Sequence, residues 1–193
     1  GGGGGVISSA ASGLELGTLD HPGSAGAGNV EVTNTNLVQT DGQYSSGIIV
    51  QTIGAGGGFI AGSSDGAVKL GAVNGISDSV GTSGSLTLKS QGDSITTYGL
   101  GSTAILAQSI GGGGGFVGAS KDGVRLGGQS QNNILSGNVS VINNSLINTY
   151  GNASAGLIAQ SIGGGGGVVS ITNSELIELG GSNLADASAG SVS

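Results

Sequence analysis

Four glycine-rich runs, starting at Gly1, Gly54, Gly111 and Gly163, recur at spacings of 53, 57 and 52 residues. A chain that returns to the same composition at a nearly constant period is built from one supersecondary unit used repeatedly rather than from a single irregular core. The segments leading into the later runs match as well: Gly47-Ile-Ile-Val-Gln-Thr-Ile53, Ala104-Ile-Leu-Ala-Gln-Ser-Ile110 and Gly156-Leu-Ile-Ala-Gln-Ser-Ile162, with Gln51, Gln108 and Gln160 in equivalent places. The repeats are therefore 1–53, 54–110, 111–162 and 163–193, the last incomplete, within one domain. The chain opens on glycine and stops inside a repeat, so it reads as a piece of a longer protein.

Each glycine run is followed by an apolar pair (Val6-Ile7, Phe59-Ile60, Phe116-Val117, Val168-Val169). Turn-forming residues come next, at Ser12-Gly13, Asp65-Gly66, Asp122-Gly123 and Asn173-Ser174, types that tolerate positive φ or bond to their own backbone. The short segments Leu14-Glu-Leu-Gly17, Val68-Lys-Leu-Gly71, Val124-Arg-Leu-Gly127 and Ile177-Glu-Leu-Gly180 then alternate apolar, charged, apolar. That is the period of two of a half-buried strand, which predicts Glu15, Lys69, Arg125 and Glu178 outside and their apolar neighbours inside. Later in the repeat stand Asn29-Val-Glu-Val32, Ser85-Leu-Thr-Leu88 and Asn138-Val-Ser-Val141, then segments ending at Gly42, Gly99 and Gly151.

No window keeps the three-and-four apolar spacing of a helix, and each interior Gly would cost a helix about 1 kcal/mol. The expected fold is all-β: a parallel β-helix, or β-solenoid, of ~53-residue repeats, each supplying about two coils that bury their apolar faces on the coils above and below. The Gln-bearing strand is apolar on both faces, so a cover is expected over its outer side, either the glycine run of its own coil or another chain. The near-fixed length of the glycine runs argues for a packed strip in which backbones approach closely, since a flexible linker needs no constant length.

These residues also carry a resemblance. Ile95-Thr-Thr-Tyr-Gly99 followed by Ala104 to Gly115, and Ile147-Asn-Thr-Tyr-Gly151 followed by Gly156 to Gly167, resemble repeats in the passenger regions of autotransporter-type surface proteins of Gram-negative bacteria. The first copy differs, with Val50, Thr52 and Ala55 in place of Ala, Ser and Gly. The resemblance spans essentially the whole chain. It implies a right-handed parallel β-helix, export through a C-terminal barrel, an extracellular or cell-surface location, and a role in adhesion, aggregation or coating. The expected function is a rigid structural or adhesive stalk or coat whose partners are a host or cell-surface ligand or further copies of itself. A self-assembling filament stacked end to end is the alternative, and a glycan-active β-helix enzyme a minor one.

Candidate chemistry is sparse, and no catalytic, cofactor or metal residue is assigned; the chain reads as not an enzyme. A net charge of −7 with only four Lys and Arg opposes nucleic-acid binding, which needs clustered cations. The apolar runs are too short to span a membrane as a helix. The absence of Cys removes disulfides and thiolate metal sites. None of the glycine runs is followed by the Lys-Ser or Lys-Thr of a phosphate-binding loop, and none holds the Asp of a calcium-binding β-roll. His21, beside Asp20 and Pro22, occurs in one repeat only and reads as a loop residue. Asp41, Asp65 and Asp122 fall where turn chemistry explains them. The acceptor-like triplets at Asn138, Asn143 and Asn152 are expected by chance in a chain this rich in Asn and Ser.

Overall fold

A computed structural model describes residues 4–7, 13–17, 25–71, 79–128, 131–172, 176–181 and 186–193. The first coil carries β1 (Gly4–Ile7), β2 (Leu14–Leu16), β3 (Ala25–Gly26), β4 (Val30–Asn34), β5 (Val38–Thr40) and β6 (Ile48–Ile53). The second carries β7 (Gly57–Ser64), β8 (Val68–Leu70), β9 (Ser79–Thr82), β10 (Leu86–Ser90), β11 (Ser94–Thr97) and β12 (Ile105–Ile110). The third carries β13 (Gly114–Ser120), β14 (Val124–Leu126), β15 (Gln131–Leu135), β16 (Val139–Asn143), β17 (Leu146–Thr149) and β18 (Leu157–Ile162). A fourth begins with β19 (Gly166–Thr172) and β20 (Ile177–Leu179), and Val192 bridges back to Val139. No helix occurs among the described residues.

Every strand pairs in parallel with its counterpart one repeat away, giving the sheets β1-β7-β13-β19, β2-β8-β14-β20, β3-β9-β15, β4-β10-β16, β5-β11-β17 and β6-β12-β18. The fold is thus a parallel β-solenoid. One repeat makes one coil, not the two expected from its length. The glycine run shows why. A Cβ on Gly114 would overlap the carbonyl oxygen of Gly166, so only another glycine can stack on this backbone, and the next glycine run is a whole repeat away. The sheet containing β3, β9 and β15 has no counterpart in the sequence reading. Its strands share no sequence pattern, and its register slips between Asn132 and Leu135.

The wall containing β2, β8, β14 and β20 follows the predicted alternation: Val68, Leu70, Val124 and Leu126 are buried, and Leu14 and Leu16 pack partly against them. Ile177 and Leu179, on the last rung, remain exposed. Asn173 and Ser174 of the fourth predicted turn lie outside the described residues.

The sheet formed by β6, β12 and β18 and the sheet containing β7, β13 and β19 divide the interior into three core clusters. All six residues of β12 are buried. Ile105 and Ala107 join Leu86, Leu88, Ile95 and Val139 on one side, and Leu106 meets Phe59 and Phe116 on the other. The cover over the second face is therefore the chain's own next strand. Burying each large aliphatic side chain of this kind contributes roughly 1.5–3 kcal/mol.

The glycine runs form part of that cover. Their last two residues open β7, β13 and β19 and stack in register, Gly57 on Gly114 on Gly166 and Gly58 on Gly115 on Gly167. Gly113, Gly114 and Gly115 have φ of 82°, 135° and 146°, a region side chains rarely adopt. A Cβ on Gly113 would come within 2.7 Å of the Cα of Gly71, and one on Gly165 equally close to Gly127. The glycine that ends each Val-Xaa-Leu-Gly segment is thus the seat of the glycine run of the next coil. Among the described residues the runs from Gly54 and Gly111 are buried and the run from Gly163 mostly so, while Gly5 is exposed.

Candidate interaction surface

With the interior accounted for, any recognition falls to side chains that point outward from the stack. Glu15, Lys69, Arg125 and Glu178 form one row, each on the rung next to the last, because β2, β8, β14 and β20 pair residue for residue. Arg125 Nε lies 3.5 Å from Glu178 Oε2. Shallow grooves of about 270 and 180 Å³ follow this row, the first beside Glu15 and Lys69, the second beside Lys69, Arg125 and Glu178. An acidic residue at each end of the row offsets the two cations between them, and exposed pairs of this sort contribute little to stability.

On the wall of β4, β10 and β16, Lys89 Nζ donates to Glu31 Oε1 at 2.8 Å. That hydrogen bond, and the lysine's charge behind it, hold the Glu31 carboxyl below its ordinary value. At the turns after β7 and β13, Lys121 pairs with Asp65 at 2.5 Å, and the hydrogen bond raises the lysine above its ordinary value. Past β11 and β17, the exposed rings of Tyr98 and Tyr150 stack with centroids 5.0 Å apart. Asp41 holds the equivalent place in the first coil and accepts a hydrogen bond from Gln39.

Polar residues that look generic in the sequence have specific structural work. Thr52 donates to the carbonyl of Gly28 and accepts from the amide of Gly84, so one hydroxyl bridges two coils. Ser109 repeats this between Gly84 and Gly137, and Ser161 between Gly137 and Gly190. Asn138 Oδ1 accepts from the Ser191 amide, and Asn143 donates to the Ser145 carbonyl. Asn152 is exposed in its turn.

His21 and Asp20 lie outside the described residues. Among the described residues no group of three or more His, Asp or Glu is placed to hold a metal ion. Asp65 is engaged by Lys121. Glu15 and Glu178 stand three rungs apart, about 14 Å at the usual strand spacing, with Lys69 and Arg125 between them. A pair of carboxylates working on a glycosidic bond sits roughly 5–9.5 Å apart.

No protein-family model, curated protein or solved structure matches this chain. Its functional reading therefore rests on its own geometry and on the resemblance of its repeats. No helix among the described residues is long and apolar enough to cross a membrane.

Proposed function

We propose that this chain is a structural segment of an extracellular bacterial surface protein, a stiff shaft or coat built by stacking coils. The observation that carries the reading is the residue-for-residue stacking of whole repeats, in which each new repeat finds its partner on the previous one. Such a stack lengthens by adding repeats, with stability a sum of repeat and neighbour terms. The resemblance of the Ala-Gln-Ser-Ile-Gly repeats to autotransporter passenger regions supports the surface location.

Magnitudes favour thickness over reach. A helix advances about 1.5 Å per residue, whereas a repeat near 53 residues here advances by one strand spacing, about 4.8 Å. A chain selected for distance alone would not be wound this way. A broad, dry cross-section with ladders of repeated side chains outside suits a wall or shaft.

The test uses cells that make the full-length protein. Antibody against residues 79–128, applied to intact cells, should label rods of limited length attached to the surface, seen by electron microscopy. Unbounded fibres detached from cells would support the filament instead. Labelling only after lysis would overturn the surface reading.

A further inference from the structure

Gln51, Gln108 and Gln160 occupy the middle of β6, β12 and β18 and are paired in register. Gln51 Nε2 donates to Gln108 Oε1 at 2.7 Å, and Gln108 Nε2 donates to Gln160 Oε1 at 2.7 Å. Gln108 is wholly buried, on the strand face that also carries Leu106 and Ile110, both wholly buried too. The stacked Phe59 and Phe116 rings pack against Leu106 on this side. A row of three primary amides joined by two hydrogen bonds thus runs along the stack, its middle member wholly buried and its outer two half-buried.

We propose that this amide ladder is the device that sets the stacking register of the partition sheet. Apolar alternation fixes only which face a residue takes; a shift by two residues preserves it. For β18 against β12, such a shift would set Gln160 opposite Leu106 or Ile110 and Ile158 or Ile162 opposite Gln108, with nearly the same apolar burial. It would, however, leave the wholly buried Gln108 amide without its acceptor and Gln160 without its donor. An orphaned buried polar group costs more than its hydrogen bond contributes, so the ladder penalises wrong registers more than it stabilises the right one. A single buried amide plays this part in coiled coils. The inference holds whatever the rod is for.

The test separates a register device from ordinary packing by comparing Gln108→Leu with the triple variant Gln51→Leu, Gln108→Leu, Gln160→Leu. The single change leaves Gln51 without an acceptor and Gln160 without a donor; the triple removes every amide. The single variant should lower the urea unfolding midpoint, or fail to fold, while the triple recovers at least half of that loss. Register is read by refolding under mild oxidant with cysteines in place of Ala107 and Ala159, which pair in register, or in place of Ala107 and Ser161, two residues out. With the glutamines present only the first pair should close; in the triple variant the second should close in a measurable fraction of molecules. A triple variant that loses about three times what the single loses, that does not fold, or that still closes only the in-register pair would overturn the proposal.

Discussion

Gln108 and Arg125 both stand at the middle of short strands rich in Val, Ile and Leu, and the two strands differ in what they face. Arg125 alternates with Val124 and Leu126, so its side chain leaves the stack while theirs enter it. Gln108 is in step with Leu106 and Ile110, two residues to either side, and so shares their burial. The outer wall lets each polar side chain find water, and its charges can vary in sign from coil to coil. The middle strand of the partition has no water to offer, and Gln108 is answered by the same group on the coils to either side. Whether a strand is covered on one face or on both, more than residue type, decides which rule applies.

That contrast is open to attack from its strongest point downward. Gly114→Val places a branched side chain at φ of 135°, against the carbonyl of Gly166. Strain and overlap together should cost more than about 4 kcal/mol, or prevent folding, in a urea titration. Equal tolerance of Val and Gly there would mean that the buried strip is only a loop.

Next in size, Leu106→Ala should lose about 3 kcal/mol through the cavity left beside Phe59 and Phe116. Arg125→Gln on the outer wall should change the same unfolding free energy by less than about 0.5 kcal/mol. Comparable losses at both sites would erase the distinction between partition and wall.

The smallest effect belongs to the Glu31 and Lys89 pair. Glu31 is held below its ordinary value by the lysine, so any stability it contributes is present above that ordinary value of 4.5 and is lost as pH falls through the lowered one. Glu31→Gln should flatten the acid limb of the unfolding profile slightly and leave neutral stability almost unchanged. An NMR titration that finds Glu31 at or above its ordinary value would remove the basis for this.

The wall is legible in the sequence alone because Leu14-Glu-Leu16 and its copies alternate with period two, and the outward charges follow directly. The two-sided burial of β12 is legible as well, since Ile105 to Ile110 is apolar at both parities apart from Gln and Ser. Which surface covers it is not, because nothing in Phe116-Val117 says that the phenylalanine folds back over Leu106 while the valine joins Val124 and Leu126. The coil count fails for a related reason: length sets how many strands a repeat can hold, whereas stacking depends on which backbones can touch. Gly71 and Gly127 hold that information at the ends of their strands, where a terminal glycine reads simply as a stop. The strands β3, β9 and β15 leave no trace, since Ala25-Gly26, Ser79–Thr82 and Gln131–Leu135 have only their neighbours' pairing in common. As for recognition, the row from Glu15 to Glu178 aligns from the repeats and so do Tyr98 and Tyr150, but that the two rings stack shows only in three dimensions.

The internal sheet also has a mechanical meaning. A hollow tube fails in bending when its walls flatten toward each other, and a web across the section is what prevents this in a girder. Here β6, β12 and β18 tie one wall to the other through dry side-chain contacts on both faces, and the web continues unbroken from coil to coil. A load applied sideways is therefore shared across the section, so the shaft should resist ovalisation and buckling better than a solenoid of the same perimeter without an internal sheet.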